Sequence, residues 1–126
     1  LDYSTALFGA DGDLIAQGTC LPPHMGAMPY AVEASKRAFA GELRPGHIYV
    51  MNDPWDGSTH PPYVACVKPT FLDERLVGYA AALAHQPHLG SRSVWWHERQ
   101  WPGPRRRARG YHGISGNQDG RFFHLT

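Results

Sequence analysis

Residues 47–60 read His-Ile-Tyr-Val-Met-Asn-Asp-Pro-Trp-Asp-Gly-Ser-Thr-His. The apolar run from Ile48 to Met51 is typical of a short β-strand, and Pro54 and Gly57 predict a tight, irregular turn directly after it. A strand that ends in a loop dense in Asp and His presents polar groups from a rigid base. The simpler interpretation is an ordinary turn whose Asn and Asp side chains hydrogen-bond their own backbone.

Similar strand-like runs lie on both sides of this stretch. Two short runs around the turn at Ala10–Asp13 predict a β-hairpin over residues 2–17. Residues 63–71 and 76–84 predict two longer strands joined by a turn, and the second is apolar throughout, which is typical of a buried strand. That strand leads into His85, so a second strand ends in a loop that carries histidine.

One helix is expected before the quoted stretch, over residues 29–40. A proline suits the first helical position, the alanine-rich apolar side chains share one face, and Gly41 is a typical stop. The adjacent Pro22 and Pro23 predict a loop over residues 19–29. The whole pattern predicts an α+β fold with mostly antiparallel strands and one main helix, as an incomplete fragment of a larger fold.

The charge distribution divides the chain into two regions. The formal net charge is +1, yet residues 1–90 hold five Lys or Arg against nine Asp or Glu, whereas residues 91–126 hold seven Arg against two acids. The second region is rich in Trp, Arg and Gly and follows neither a strand nor a helix period. We therefore expect a structured region over residues 1–90 and an irregular basic tail over residues 91–126, either disordered or read out of frame.

The length of 126 residues allows about one small domain. Cys20 and Cys66 are far apart in the sequence, so two free thiols in a reducing compartment are the default, and a single disulfide is the alternative. No apolar run approaches about 18 residues and no signal-like start is present, so we expect a cytoplasmic protein without a membrane span. The chain begins at Leu1 and not at Met, which predicts a processed or partial sequence.

Three polar side chains at predicted strand ends form the first candidate site. Asp2 starts the first strand, His60 closes the quoted stretch and His85 follows the apolar strand. If these ends share one rim of the sheet, two imidazoles and a carboxylate meet, and such a set binds a divalent metal with open positions. Scattered strand-end residues more often stay apart, so both interpretations stand. His24 leaves a similar choice, between lining a pocket and simple exposure.

Several motifs, taken in order, make this chain resemble the hydantoinase B/oxoprolinase family. They cover about residues 1–90, and they are individually weak but jointly specific. The matching segments are Asp2-Tyr3-Ser4 with the hairpin Phe8 to Gln17, Pro23-His24-Met25-Gly26 with Met28-Pro29, Leu43-Arg44-Pro45-Gly46, Asn52-Asp53-Pro54 with Gly57-Ser58-Thr59-His60, and Ala84-His85 with Gly90.

The resemblance implies a metal-dependent subunit of an ATP-dependent amidohydrolase that opens lactam or cyclic imide rings of the 5-oxoproline or hydantoin class. It implies that a partner subunit or domain of hydantoinase A type binds the ATP. It also implies a divalent metal of the Zn, Mn or Fe class, with ligands at positions matching Asp2, His60 and His85. No catalytic residue is assigned. The side chains expected to line the surrounding pocket are His24, Asn52, Asp53, Asp56, Thr59, Tyr63 and His88.

The sequence departs from the family pattern at this site. Three residues after the His of the Gly-Ser-Thr-His motif the family has an Asp, whereas this chain has Tyr63, and a phenol is a poorer ligand for a hard cation. After His85 the family shows a second His and then an Asp, whereas this chain has Gln86 and His88. Family members are also several times longer, so we expect uncovered apolar strand faces and a fragment that is inactive alone.

Two other functions stay open on the sequence. A degenerate, non-catalytic family member that serves as a metal-binding or interaction module accounts for Tyr63 and for the short chain. The second is nucleic-acid binding through Arg105–Arg109 and the nearby tryptophans, because basic and aromatic side chains can grip phosphates and stack on bases. The overall charge of only +1 argues against this second function.

Overall fold

The computed structural model describes residues 2–19, 21–58, 62–86, 115–116 and 122–125. These residues form an antiparallel β-sheet with one α-helix packed on one face, which confirms the predicted α+β class. The helix, α1, spans Pro22–Ala38. The strands are β1 (Tyr3–Gly9), β2 (Leu14–Gln17), β3 (Ile48–Met51), β4 (Tyr63–Leu72), β5 (Arg75–His85), β6 (Ser115–Gly116) and β7 (Phe122–Leu125).

The strand order in the sheet is β2-β1-β5-β4-β3-β7-β6. The centre is the β4–β5 hairpin, whose turn residues Asp73 and Glu74 have φ of 47° and 65°. This left-handed conformation matches the twist of the two strands that a two-residue turn connects. β1 pairs with the other edge of β5, so the first strand of the chain lies beside the last of the two central strands.

Alternation along the strands puts the core between the sheet and α1. On β1, Ser4, Ala6 and Phe8 are buried, and Tyr3, Thr5 and Leu7, which alternate with them, are exposed. This period of two is what a strand with one covered face produces. The helix covers that face with small and medium side chains, which allow close packing. The buried core side chains from the sheet and the helix include Tyr49, Met51, Val67, Tyr79 and Leu83 with Met28, Ala31, Val32 and Ala34.

The helix begins seven residues earlier than the sequence predicts, so the predicted loop over residues 19–29 is wrong. Pro22 and Pro23 occupy the first turn, where the backbone N–H groups have no partner within the helix and a proline costs little. Pro29 then lies inside the helix and not at its start. The early start moves His24 from an expected loop onto the helix, at a buried position.

The opposite face of the sheet is apolar and open among the described residues. Tyr3 and Leu7 are each 53% exposed there, next to small alanine side chains of β5. A shallow cavity of about 450 Å³ lies on this face, with Cys66 and Lys68 of β4 among its lining residues. The expectation of an apolar strand face without cover therefore applies to the part of the chain that is described.

The loop after β3 folds against α1. Asp53 caps a short 3-10 turn over Pro54–Asp56 with its side chain, which accepts a hydrogen bond from the Trp55 backbone N–H. Gly57 follows with φ of 106°. A Cβ at this position would clash with the Ala31 backbone nitrogen and lie 2.9 Å from the Ala27 carbonyl oxygen. The tight turn that Pro54 and Gly57 predict is therefore present, and close backbone packing on the helix requires the glycine.

The tail is described at two short segments only. β6 and β7 extend the sheet beyond β3, with Met51 opposite Phe122. The rest of residues 91–126, including the run Arg105–Arg109 proposed for nucleic acid, lies outside the described residues, so the domain division stays a prediction. Within the described segments, no helix is long and apolar enough to cross a membrane.

The contact at Gly57 can be tested by substitution. We expect Gly57→Ala to lower the free energy of unfolding by about 2 kcal/mol or more, because strain at positive φ adds to the clash with α1. Gly41→Ala is the matched control, since Gly41 has φ of 79° and open space around a Cβ. It should cost only about 1 kcal/mol. Urea unfolding followed by circular dichroism measures both, and equal losses would show that the loop does not pack closely on α1.

Candidate functional site

The pairing of three strands places Asp2, His85 and Tyr63 side by side at one end of the sheet. Tyr63 at the start of β4 is the register partner of His85 at the end of β5. The His85 backbone N–H donates to the Asp2 carbonyl oxygen over 2.9 Å, just before β1 begins. The three residues therefore form a row across adjacent strands. We call Asp2, Tyr63 and His85, together with His24 of α1, the sheet-end cluster.

The Tyr63 hydroxyl donates a hydrogen bond to the Asp2 carboxylate. It lies 2.9 Å from Asp2 Oδ1 and 2.8 Å from Oδ2, so the phenol donates its one proton to a carboxylate that holds it from both oxygens. The Tyr63 ring contacts two imidazoles edge to face, His24 at a centroid distance of 4.5 Å and His85 at 5.0 Å. Hydrogen bonds to a charged acceptor are stronger than neutral ones, so this contact fixes both side chains.

His24 reaches the cluster from the helix side and is only 1% exposed. Its Nδ1 shares a hydrogen bond of 2.7 Å with Ser4 Oγ, which is also buried. Its Nε2 lies 3.8 Å from Asp2 Oδ1, beyond hydrogen-bond distance. The bond to Ser4 fixes the orientation of the imidazole, so that Nε2 faces the carboxylate.

Burial determines the charge state of the cluster. Burial lowers the pKa of the His24 imidazole; the Asp2 carboxylate raises it and His85 lowers it further, with a net decrease from the usual value of 6.5. Burial together with the Asp2 carboxylate raises the pKa of the Tyr63 phenol to about 12. Near neutral pH the His24 imidazole and the Tyr63 phenol are therefore neutral.

The structure brings together only part of the site expected from the sequence. Asp2, His24, Tyr63 and His85 meet, whereas His60, Thr59 and His88 lie outside the described residues, so their roles stay predictions. The remaining three expected pocket residues belong to the loop after β3. Asn52 is half-buried, Asp53 caps the 3-10 turn, and Asp56 pairs with Arg37 of α1 at 3.0 Å.

Sequence reasoning overlooked Ser4. Its hydroxyl orients His24, although Ser4 occupies an inward position on β1 between apolar neighbours. The signal was the alternation of β1 itself, because a polar residue at a buried strand position needs a partner. Finding that partner required the correct start of α1, which brings residue 24 onto the sheet.

The described cluster does not fit a metal ion. Among the described residues, no group of three or more His, Cys, Asp or Glu side chains could hold a metal ion. The Asp2 carboxylate, which would be the charged ligand, already accepts from Tyr63 at both oxygens. Structural and catalytic zinc sites need at least three converging protein ligands, and here a phenol holds the third position of the row.

The buried neutral His24 predicts a loss of stability at acid pH. Because its pKa in the folded state is lowered, the unfolded chain binds more protons below pH 6.5, and stability falls as the pH falls through this range. Between pH 7.5 and 5.5 the loss from this group should reach up to about 1.4 kcal/mol.

Urea unfolding at both pH values measures this effect against His24→Asn, which retains an amide for Ser4 but does not titrate. Asp2 and His85, the charged or titratable groups that face the imidazole, are present in both proteins, so the difference in slope reports on His24. The same slope in both proteins would contradict a buried neutral imidazole.

Comparison with known proteins identifies relatives of this region. A family model described as hydantoinase B/oxoprolinase matches residues 1–95. The 5-oxoprolinase of Saccharomyces cerevisiae is 35% identical over 91 residues, which are 71% of this chain and 7% of that protein. The caprolactamase subunit beta of Pseudomonas jessenii is 30% identical over 89 residues, which are 71% of this chain and 15% of that protein.

The fold is shared with a solved structure. The crystal structure of the ATP-dependent caprolactamase from Pseudomonas jessenii matches 73% of this chain and 16% of that chain, with a TM-score of 0.69 and 29% identity. The chain thus spans only a small part of the length of these relatives. The family match covers well over half of the chain and agrees with the motifs read from the sequence. This chain belongs to the hydantoinase B/oxoprolinase family.

Proposed function

We propose that this chain is the N-terminal part of a component that opens lactam or cyclic imide rings in an ATP-dependent complex. The observation that carries the proposal is the position of the sheet-end cluster, which lies within the region shared with a 5-oxoprolinase and a caprolactamase subunit. Both names denote enzymes that act on a cyclic amide. Inactivity of the isolated chain and a cytoplasmic location, expected from the sequence, are part of this proposal.

The Asp2 carboxylate suits the amide group of such a ring. An ionised carboxylate has about four lone-pair sites, and the Tyr63 hydroxyl uses the inner side of the group. The side chain is 43% exposed, so its remaining acceptor capacity faces solvent. We assign to Asp2 the role of accepting the ring N–H and thereby orienting the amide, with Tyr63 holding the carboxylate in place.

The nucleotide is assigned to a partner of hydantoinase A type. An amide is a poor electrophile, so phosphoryl transfer to its oxygen would make the carbonyl reactive toward water. The relative from Pseudomonas jessenii is named as a beta subunit, and a structure of that caprolactamase is described as ATP-dependent, which supports a multi-subunit arrangement. The set Asp2, His60 and His85 stays a prediction as metal ligands, and no step of this proposal depends on it.

A second candidate is a non-catalytic family member that only assembles with a partner. The observation that favours it is Tyr63, which stands where the family resemblance implies a carboxylate. Its hydroxyl donates to the Asp2 carboxylate. The two candidates differ in turnover and not in assembly, so one experiment separates them.

That experiment is a chimera, because the chain covers only 15% of the caprolactamase beta subunit. Residues 1–95 replace the matching segment of that subunit, and the chimera is combined with its partner, ATP and caprolactam. We expect ring-opened product and ADP at a rate about 10- to 100-fold below the parent, since an altered polar group at the site, here Tyr63, costs about this much. Chromatography measures the ring-opened product, and a coupled enzyme assay measures the ADP.

The role of Asp2 is tested in the same chimera. Asp2→Asn should raise KM about tenfold, because the neutral amide is a weaker acceptor for the ring N–H. Asp13→Asn, at an exposed position of the β1–β2 turn, is the matched control and should stay within about twofold. A chimera that assembles with the partner but forms no product would contradict the proposed function and leave the non-catalytic candidate.

A further inference from the structure

We propose that Tyr63 keeps divalent metal ions out of the sheet-end cluster by occupying, with its ring and hydroxyl, the place where a third ligand would stand. The proposal rests on the proposed function, because that function makes the sheet-end cluster the substrate site. It concerns what this particular chain can bind, and it follows from the row of Asp2, His85 and Tyr63 across three strands.

A third side chain that could bind a metal ion in this row would have to be at position 63. Directly paired residues on one face of antiparallel strands have Cβ atoms about 5 Å apart, so a short carboxylate at position 63 would stand beside the His85 imidazole. Asp2 follows on the far side of His85, held by the backbone bond between them. The row therefore has the geometry to converge three side chains, and Tyr63 decides whether it does.

The phenol occupies this position in two ways. Its ring lies between the imidazoles of His24 and His85, at centroid distances of 4.5 and 5.0 Å. Its hydroxyl holds both oxygens of Asp2, the carboxylate of the cluster. An ion that took Asp2 from the side of the row would compete with these hydrogen bonds, and the buried hydroxyl, in a residue 7% exposed, would lose its charged acceptor.

The backbone around Tyr63 leaves little room for the phenol to withdraw. The Ser58 hydroxyl, which is fully buried, donates to the Tyr63 carbonyl oxygen over 3.2 Å. The Gln86 backbone N–H donates to the Pro62 carbonyl oxygen over 2.8 Å, next to the Tyr63–His85 pair. These bonds anchor the start of β4 on both sides, so the backbone that carries the Tyr63 ring is held in place at the sheet end.

The test compares metal binding by the full chain and two variants at position 63. Co²⁺ binding is followed by its visible d–d absorption, and Zn²⁺ binding by the shift in Tm. We expect no absorption band and no shift for the wild type. Tyr63→Asp should show both, with an increase in Tm of about 5 °C or more at a hundredfold excess over Kd. Tyr63→Phe, which frees Asp2 but keeps the ring, should bind Zn²⁺ at least about tenfold more tightly than the wild type.

Two further variants make the result specific. Asp2→Asn in the Tyr63→Asp background should abolish the Co²⁺ band. Tyr49→Phe is the matched control, since this buried tyrosine also donates its hydroxyl, to the Glu42 carbonyl oxygen, but lies away from the row. It should behave as the wild type. Near-UV circular dichroism verifies the fold of each variant, and Tyr63→Phe carries the test if Tyr63→Asp does not fold.

Two results would overturn the proposal. One is a wild-type chain that binds Zn²⁺ as tightly as Tyr63→Asp and Tyr63→Phe. The other is folded variants at position 63 that bind no more metal than the wild type. The readout needs neither ATP nor a partner subunit, so this proposal can fail while the chimera turns over, and the chimera can fail while metal binding follows Tyr63.

Discussion

The pairing of β4 with β5 is the constraint on which the rest of the structure depends. It runs without a shift from Tyr63 opposite His85 to Thr70 opposite Gly78, and a register shift between Thr70 and Phe71 separates this stretch from the hairpin turn. Because side chains alternate with a period of two, a slip of one residue would move Tyr63 and His85 to opposite faces. β1 pairs with the other edge of β5, and the hydrogen bond from His85 N–H to the Asp2 carbonyl oxygen places Asp2 in the row.

This register also explains how much of the site could be predicted from the sequence. Strand ends could be located from apolar runs and turns, and hence Asp2, Tyr63 and His85 could be placed at strand ends. Their meeting at one rim depends on strand order and register, which are long-range properties. The family resemblance supplied that missing information. The direct bond between Tyr63 and Asp2, 61 residues apart, had no local signal at all.

The error at α1 has a different physical origin. Local rules treat adjacent prolines as a reason against a helix, yet the first turn needs no N–H donors and accepts them. The core then decides in favour of the helix, because an earlier start brings Met28 and His24 over the sheet, where both are buried. Tertiary packing thus outweighed local propensity, and the same decision converted His24 from an expected loop residue into a partner of Ser4.

At the sheet end of this chain, the Tyr63 hydroxyl donates to the Asp2 carboxylate and the buried His24 imidazole faces it. A cluster of ligands without an ion would leave like or unpaired polar groups facing each other, which is costly in a buried place. Tyr63 avoids this free-energy cost, because its hydroxyl donates to the carboxylate and its ring packs on both imidazoles. The hydrogen bond of Tyr63 to Asp2 and its ring contacts therefore satisfy this end of the sheet from within the protein. Under the proposed role of Tyr63, the row offers a ligand the outer side of Asp2, which accepts a hydrogen bond.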